Sequence, residues 1–166
     1  MNIQLLKWNE NFKQDLILLC NSIDRKYLSN RMPFPYTEKD ADWWLNFVKE
    51  NDGINGIYRA IIADGRCVGN ISVEKKSDVN CKDSEIGYTL LPTETSKGIV
   101  TEAVKQMCKI AFKELDIIRI TANVFSPNEA SQKVLMKNEF SLEGIKKNAI
   151  YKNEEIYDLL IYGLYK

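Results

Sequence analysis

The chain of 166 residues contains no histidine. That removes the commonest general base and the commonest metal ligand. A Ser–His–Asp or Cys–His hydrolase is excluded with it. Cysteine is scarce: Cys20, Cys67, Cys81 and Cys108 are scattered, and no two have the CxxC spacing of a zinc or redox site. No metal site is expected. Neither sign of charge is in excess, since Lys+Arg and Asp+Glu both number 23. A bulk nucleic-acid binder usually carries a strong positive excess, so direct nucleic-acid binding is not expected. No apolar run is long enough to cross a bilayer, and Met1-Asn2-Ile3-Gln4-Leu5 lacks a signal-peptide pattern. A cytoplasmic protein without a membrane partner is the expectation. Acid–base chemistry, if any, falls to carboxylates, Tyr, Lys, Cys or water.

What is present is globular material. Hydrophobic residues make up 45%, which argues against disorder. The length suits one domain, residues 1–166, with a core of its own. Repeats, linkers and low-complexity tails are missing. The chain reads as strand (Asn2–Trp8), helix (Asn9–Asn21), an irregular proline-bearing stretch to Tyr36, and a helix capped by Thr37-Glu38-Lys39-Asp40. Strands over Ile57–Ala63 and Cys67–Glu74 flank Asp64-Gly65, a tight-hairpin signal. Strand Glu85–Leu91 and a long helix follow. Strand Asp116–Val124, a short helix from Ser126-Pro127 to Lys137, and strands Phe140–Ile145 and Glu155–Tyr165 complete the chain. The fold class is α/β or α+β: a mixed, mostly antiparallel sheet of about seven strands with one parallel βαβ unit, and about four helices.

The stretch from Leu90 to Ala103 carries the functional argument. Glu85–Leu91 is strand-favouring and Pro92 ends it. Val100, Ala103, Val104, Met107 and Ala111 then fall on one helical face. A strand feeding directly into a helix leaves the first N–H groups of that helix without partners, at the positive end of its dipole. Such a place holds a phosphate or pyrophosphate without a side-chain base. An ordinary strand–turn–helix joint has the same local pattern.

Five segments in order resemble the GNAT superfamily of acetyl-coenzyme A-dependent N-acetyltransferases, and within it the RimJ/RimL ribosomal-protein group. They are Met32-Pro33-Phe34-Pro35-Tyr36-Thr37 with Asp40-Ala41 and Trp44; Tyr58–Ile62 through Gly69-Asn70-Ile71-Ser72; Glu85-Ile86-Gly87-Tyr88; Lys97–Ala103; and Asn128-Glu129-Ala130-Ser131 with Lys137 and Phe140. Two departures stand out. The first glycine of the family's acyl-CoA turn is Ser96, and the tyrosine that many members use as general acid is Leu135.

The resemblance implies direct acetyl transfer from acetyl-CoA to a primary amine, most simply a protein N-terminal α-amine such as that of a ribosomal protein. It implies Glu85 as base and Ser131 as the group facing the departing thiolate. Leu90 and Leu91 would hold the carbonyl and pantetheine by their amides. The amides of Ser96, Lys97, Gly98, Ile99, Val100 and Thr101 would hold the pyrophosphate, with Asn128 on the pantetheine arm and Lys137 at the phosphate end. Phe34, Tyr36, Trp44, Asn70 and Tyr88 would form the acceptor site. Glu94, beside a diphosphate, would be repulsive unless it turned away. A small amine acceptor (a polyamine or an aminoglycoside) and a non-catalytic acyl-CoA sensor are the alternatives, and monomer and homodimer are both open.

Overall fold

The computed structural model describes residues 1–166. Seven strands form one sheet: β1 (Ile3–Lys7), β2 (Gly56–Ala63), β3 (Arg66–Lys75), β4 (Ser84–Leu90), β5 (Arg119–Phe125), β6 (Ser141–Lys152) and β7 (Glu155–Tyr165). Four helices accompany them: α1 (Lys13–Ser22), α2 (Glu38–Asn51), α3 (Ile99–Glu114) and α4 (Glu129–Lys137). The strand order is β1-β2-β3-β4-β5-β7-β6, and every pairing is antiparallel except β4 with β5. That one parallel pair is spanned by α3, as a parallel crossover requires.

The local devices match their residues. Thr37 Oγ1 accepts from the Asp40 amide, and Asp40 Oδ2 accepts from the Thr37 amide at 2.8 Å, closing the capping box that starts α2. Asp64 and Gly65 both have positive φ in the β2–β3 turn. This mirror-image turn geometry suits the twist of the two strands. Asn153 and Glu154 repeat it between β6 and β7.

Two cores lie on opposite faces of the sheet. One gathers Ile57, Ile61, Ile71, Val73 and Ile86 under α3 and α4. The other gathers Trp8, Tyr58, Ala60 and Ile62 under α1 and α2. β2 contributes to both by strict alternation, and all eight of its residues are buried.

Several boundaries differ from the sequence reading, among them the first helix, which starts at Lys13 after a single tight turn over Glu10–Phe12. β5 starts at Arg119, and Ile118 before it is exposed. The cap of α4 is Asn128 rather than Ser126. β6 runs on through Lys146-Lys147-Asn148 to Lys152. Its ladder with β7 breaks between Lys146 and Ile150, where Asn148 takes a positive φ. The strand expected to end at Ile145 instead continues, through an irregularity, as a long edge strand.

Candidate active site

The β4–β5 junction shapes the site. The two strands register at a single position, Glu85 opposite Thr121, and then part. Leu91 donates its N–H to Val68 O at 2.8 Å. By alternation the amides of Tyr88 and Leu90 point away from β3, into the gap. The structure therefore removes Leu91 from the expected pair. Its N–H is spent on Val68, its carbonyl accepts from Glu94, and its side chain packs against the α1/α2 core.

Beyond Leu91 the chain makes one tight turn, Pro92–Glu94, and enters α3 through Gly98 at φ 78°. Leu91, Glu94 and Thr95 are the last groups before the helix with bonded amides or carbonyls in that turn. The amides from Ser96 to Thr101 have no acceptor in the protein, and the first helical bond runs from Glu102 to Gly98 O. Six consecutive donors and the positive helix end thus face outward. Ser96 has φ 61°, so this position does need the left-handed conformation and a serine adopts it at some cost. Asn138 Nδ2 donates to Thr101 O at 3.1 Å, tying the first turn of α3 to the end of α4.

These donors border a cavity of about 850 Å³. It is lined by Tyr88 and Leu90 of β4, by Ser96 to Thr101, and by Asn128, Ser131, Val134 and Lys137 of α4 and its cap. Ile23, Asp24, Tyr27 and Leu28 close it from the segment after α1. No sequence signal had pointed to these four, because the irregular stretch before Tyr36 has no period to read. Glu94, only 7% exposed, lies on the cavity wall with its carboxylate held by two cations. Its carboxylate lies 2.9 Å from Lys97 Nζ and 3.2 Å from Arg66 Nη2. Lys97, and to a lesser extent Arg66, hold this carboxyl below the usual carboxylate range.

α4 presents two polar groups. Asn128 Oδ1 accepts from the Ser131 amide at 3.2 Å, so its oxygen is occupied in capping the helix. Ser131 Oγ lies 2.7 Å from Tyr88 Oη. Burial pushes the Tyr88 phenol up to about 12, against the opposing pull of the Ser131 bond. Leu135 is fully buried in the core, one helical turn on.

The other expected acceptor residues do not converge. Tyr36 is buried among α1 and α2, with its hydroxyl donating to Asp40 O at 3.3 Å. Trp44 packs on Phe47 and Tyr58 in the same core. Asn70 Oδ1 accepts from Trp8 Nε1 at 3.2 Å. Phe34 is exposed, with the Arg25 guanidinium over its ring at 5.0 Å. Of the five, Tyr88 alone lines the cavity.

Glu85 is exposed on the face opposite the α3/α4 core, directly across from Glu74. Burial and the Glu85 charge raise the Glu74 carboxyl, while Arg31 opposes the shift.

The other end of β4 is closed. Asp83 Oδ2 accepts from Lys76 Nζ at 2.6 Å, and Asp83 Oδ1 accepts from the Ser84 amide at 2.8 Å and from Thr121 Oγ1 at 2.9 Å. Arg119 Nε lies 3.2 Å from the same Oδ1. The Arg119 Nη2 donates to Glu143 at 2.5 Å, and the Tyr165 hydroxyl also donates to Glu143.

Three of the four thiols are out of play as nucleophiles: burial pushes Cys20 and Cys108 up to about 12 and Cys67 up to about 11.

Comparison with known proteins follows the same lines. A family model described as an acetyltransferase (GNAT) domain matches residues 6–141. The chain is 31% identical over 131 residues to the uncharacterized N-acetyltransferase YnaD of Bacillus subtilis, covering 78% of this chain and 74% of that protein. It is 34% identical over 113 residues to the putative ribosomal N-acetyltransferase YdaF of the same organism, covering 68% of this chain and 61% of YdaF. The structure of RimL, a ribosomal L7/L12 α-N-protein acetyltransferase in complex with coenzyme A, superposes with a TM-score of 0.85 at 20% identity, over 99% of this chain and 94% of that one.

Proposed function

The chain belongs to the GNAT family of acetyltransferases, and from that membership we propose that it transfers the acetyl group of acetyl-CoA to a primary amine, with a protein N-terminal α-amine as acceptor. The observation that carries this reading is the row of six acceptor-free amides, Ser96 to Thr101, on the rim of the cavity. Coenzyme A brings a diphosphate and a thioester, and the residues present suit both. A diphosphate matches consecutive backbone donors at a helix N-terminus. Glu94 does not oppose it, because Lys97 and Arg66 neutralise that carboxylate. Lys137 on the cavity wall adds a positive charge at the outer end. The gap beyond Glu85 gives the thioester arm a strand edge to lie against, with the Tyr88 and Leu90 amides as its donors.

The chemistry divides among these groups. The Leu90 amide faces the negative charge that develops on the carbonyl oxygen. Ser131 faces the sulfur. Glu85 takes the proton released by the amine, through water. An α-amine near pKa 8 is already partly neutral at pH 7, so the base has less to do than for a lysine near 10.4. Glu74 across the strand makes a second carboxylate available where a cation would arrive. Relatives named as ribosomal acetyltransferases favour a protein N-terminus over a small amine.

The test is thiol release from acetyl-CoA over a panel of α-amino peptides, polyamines and aminoglycosides. Acceleration by the peptides is expected. Coenzyme A binding without acceleration by any amine would favour a sensor. With Glu85→Gln, the pH profile of turnover should move to higher pH; an unaltered profile would acquit Glu85.

A further inference from the structure

The Tyr88–Ser131 contact joins two residues 43 positions apart, one on β4 and one in the first turn of α4. Both line the cavity. The pair shares one hydrogen bond, and neither hydroxyl has another partner in the protein. Two hydroxyls bring two protons, and their mutual bond uses one. The second must point elsewhere, and the open side is the cavity. The Ser131 backbone is itself fixed by Asn128 Oδ1, so the serine can aim its proton only by rotating its hydroxyl. A buried phenol is the better donor of the two, and an alcohol oxygen the better acceptor.

We infer that Tyr88 is the positioning residue for Ser131: the phenol donates to Ser131 Oγ and so directs the serine proton at the sulfur of coenzyme A. This rests on the acetyl-transfer reading above. In the transfer, the C–N bond forms, the C–S bond breaks, and the electron pair of the latter goes to sulfur. The amine proton leaves by Glu85. The pair does not give its own proton away. The Tyr88 phenol stands at about 12, well above an ordinary thiol at about 8.5, so transfer from it to a thiolate is uphill. The two hydroxyls supply a directed hydrogen bond, and the thiolate collects its proton from solvent. Leu135 has no part in this, being buried in the core. Tyr88 thereby moves from the acceptor site to the sulfur side of the reaction.

The experiment titrates the thiol of bound coenzyme A by its ultraviolet thiolate absorbance. The proteins compared are the wild type, Tyr88→Phe, Ser131→Ala and the double variant. Tyr88→Phe keeps the ring and removes only the hydroxyl. The wild-type complex should titrate about half to one pH unit below both single variants. The double variant should match Ser131→Ala, since the two groups act as one unit. In turnover, Tyr88→Phe should lower kcat about tenfold with KM for acetyl-CoA unchanged. A Tyr88→Phe complex that titrates like the wild type overturns the inference. A shifted thiol without amine-dependent turnover keeps it and sinks the transfer reading. If the wild type fails to bind coenzyme A, both fall together.

Discussion

The two ends of the β4–β5 junction are built on opposite principles. At the closed end, Asp83, Lys76, Thr121, Arg119 and Glu143 satisfy one another. At the open end, the donors from Ser96 to Thr101 satisfy nothing in the protein. The closed end holds the strands in register so that the open end can stay apart. Damage to the first should therefore appear as lost stability, and damage to the second as lost binding.

The largest effect is expected from Asp83→Ala. It leaves a half-buried Arg119 and three further donors without their acceptor, a loss of about 2–3 kcal/mol. Thermal unfolding should show Tm falling by roughly 5–10 °C, with coenzyme A affinity of the folded protein nearly unchanged. Acid should act on the same groups. Burial raises the Asp83 carboxyl, but Lys76, Thr121 and the Ser84 amide outweigh it and the net shift is downward. Arg119 and Tyr165 lower Glu143 likewise. A carboxyl depressed in the folded state stabilises above its unfolded pKa of about 4, and that stabilisation is lost as pH falls through the depressed value. The Tm gap between wild type and Asp83→Ala should accordingly narrow below about pH 4. A gap that is constant with pH would mean that Asp83 is not the group holding the closed end.

Next is Leu135→Tyr. Restoring a tyrosine there overpacks a fully buried site and should cost about 1–3 kcal/mol. Unfolding curves and turnover would be measured together. A gain in turnover would show that this position is open to the reacting groups after all.

Gly98→Ala should be smaller in stability and larger in function. A Cβ at Gly98 meets nothing within 4 Å, so the penalty is conformational, from φ 78°. It should be about 1 kcal/mol in stability, and coenzyme A affinity measured by calorimetry should fall about tenfold as the donors turn. Equal affinity would remove the α3 entry from the binding site.

The smallest effect is a gain. Ser96→Gly relieves the left-handed strain at φ 61°. It should stabilise by about 0.5–1 kcal/mol, read as a rise in Tm. No gain would mean that the serine side chain compensates locally.

This contrast also explains what could be read in advance. The open end is contiguous in the chain, so strand, proline, turn and helical period sit side by side from Glu85 to Ala111 and spell out free amides. The Asp64-Gly65 hairpin and the Thr37 capping box are legible for the same reason. The closed end draws on residues from 76 to 165 that look like ordinary surface charges until β4, β5, β6 and β7 are laid together. The Tyr88–Ser131 bond was hidden likewise, by its 43-residue separation. That Tyr36 and Trp44 pack in the α1/α2 core could not be read, because a motif states which residues recur and not which way they face.

That irregular edge has a consequence for how the molecule behaves in a crowd. β6 is the outermost strand and presents Leu142, Ile145 and Tyr151 to solvent, material on which another chain could template itself. The positive φ at Asn148 and the break between Lys146 and Ile150 interrupt the row of edge amides. The two lysines beside the break would meet their own kind in an incoming copy. Only short unbroken pieces of ladder are on offer, too short to recruit a stranger, and the sheet's exposed border is thereby guarded against fibre growth.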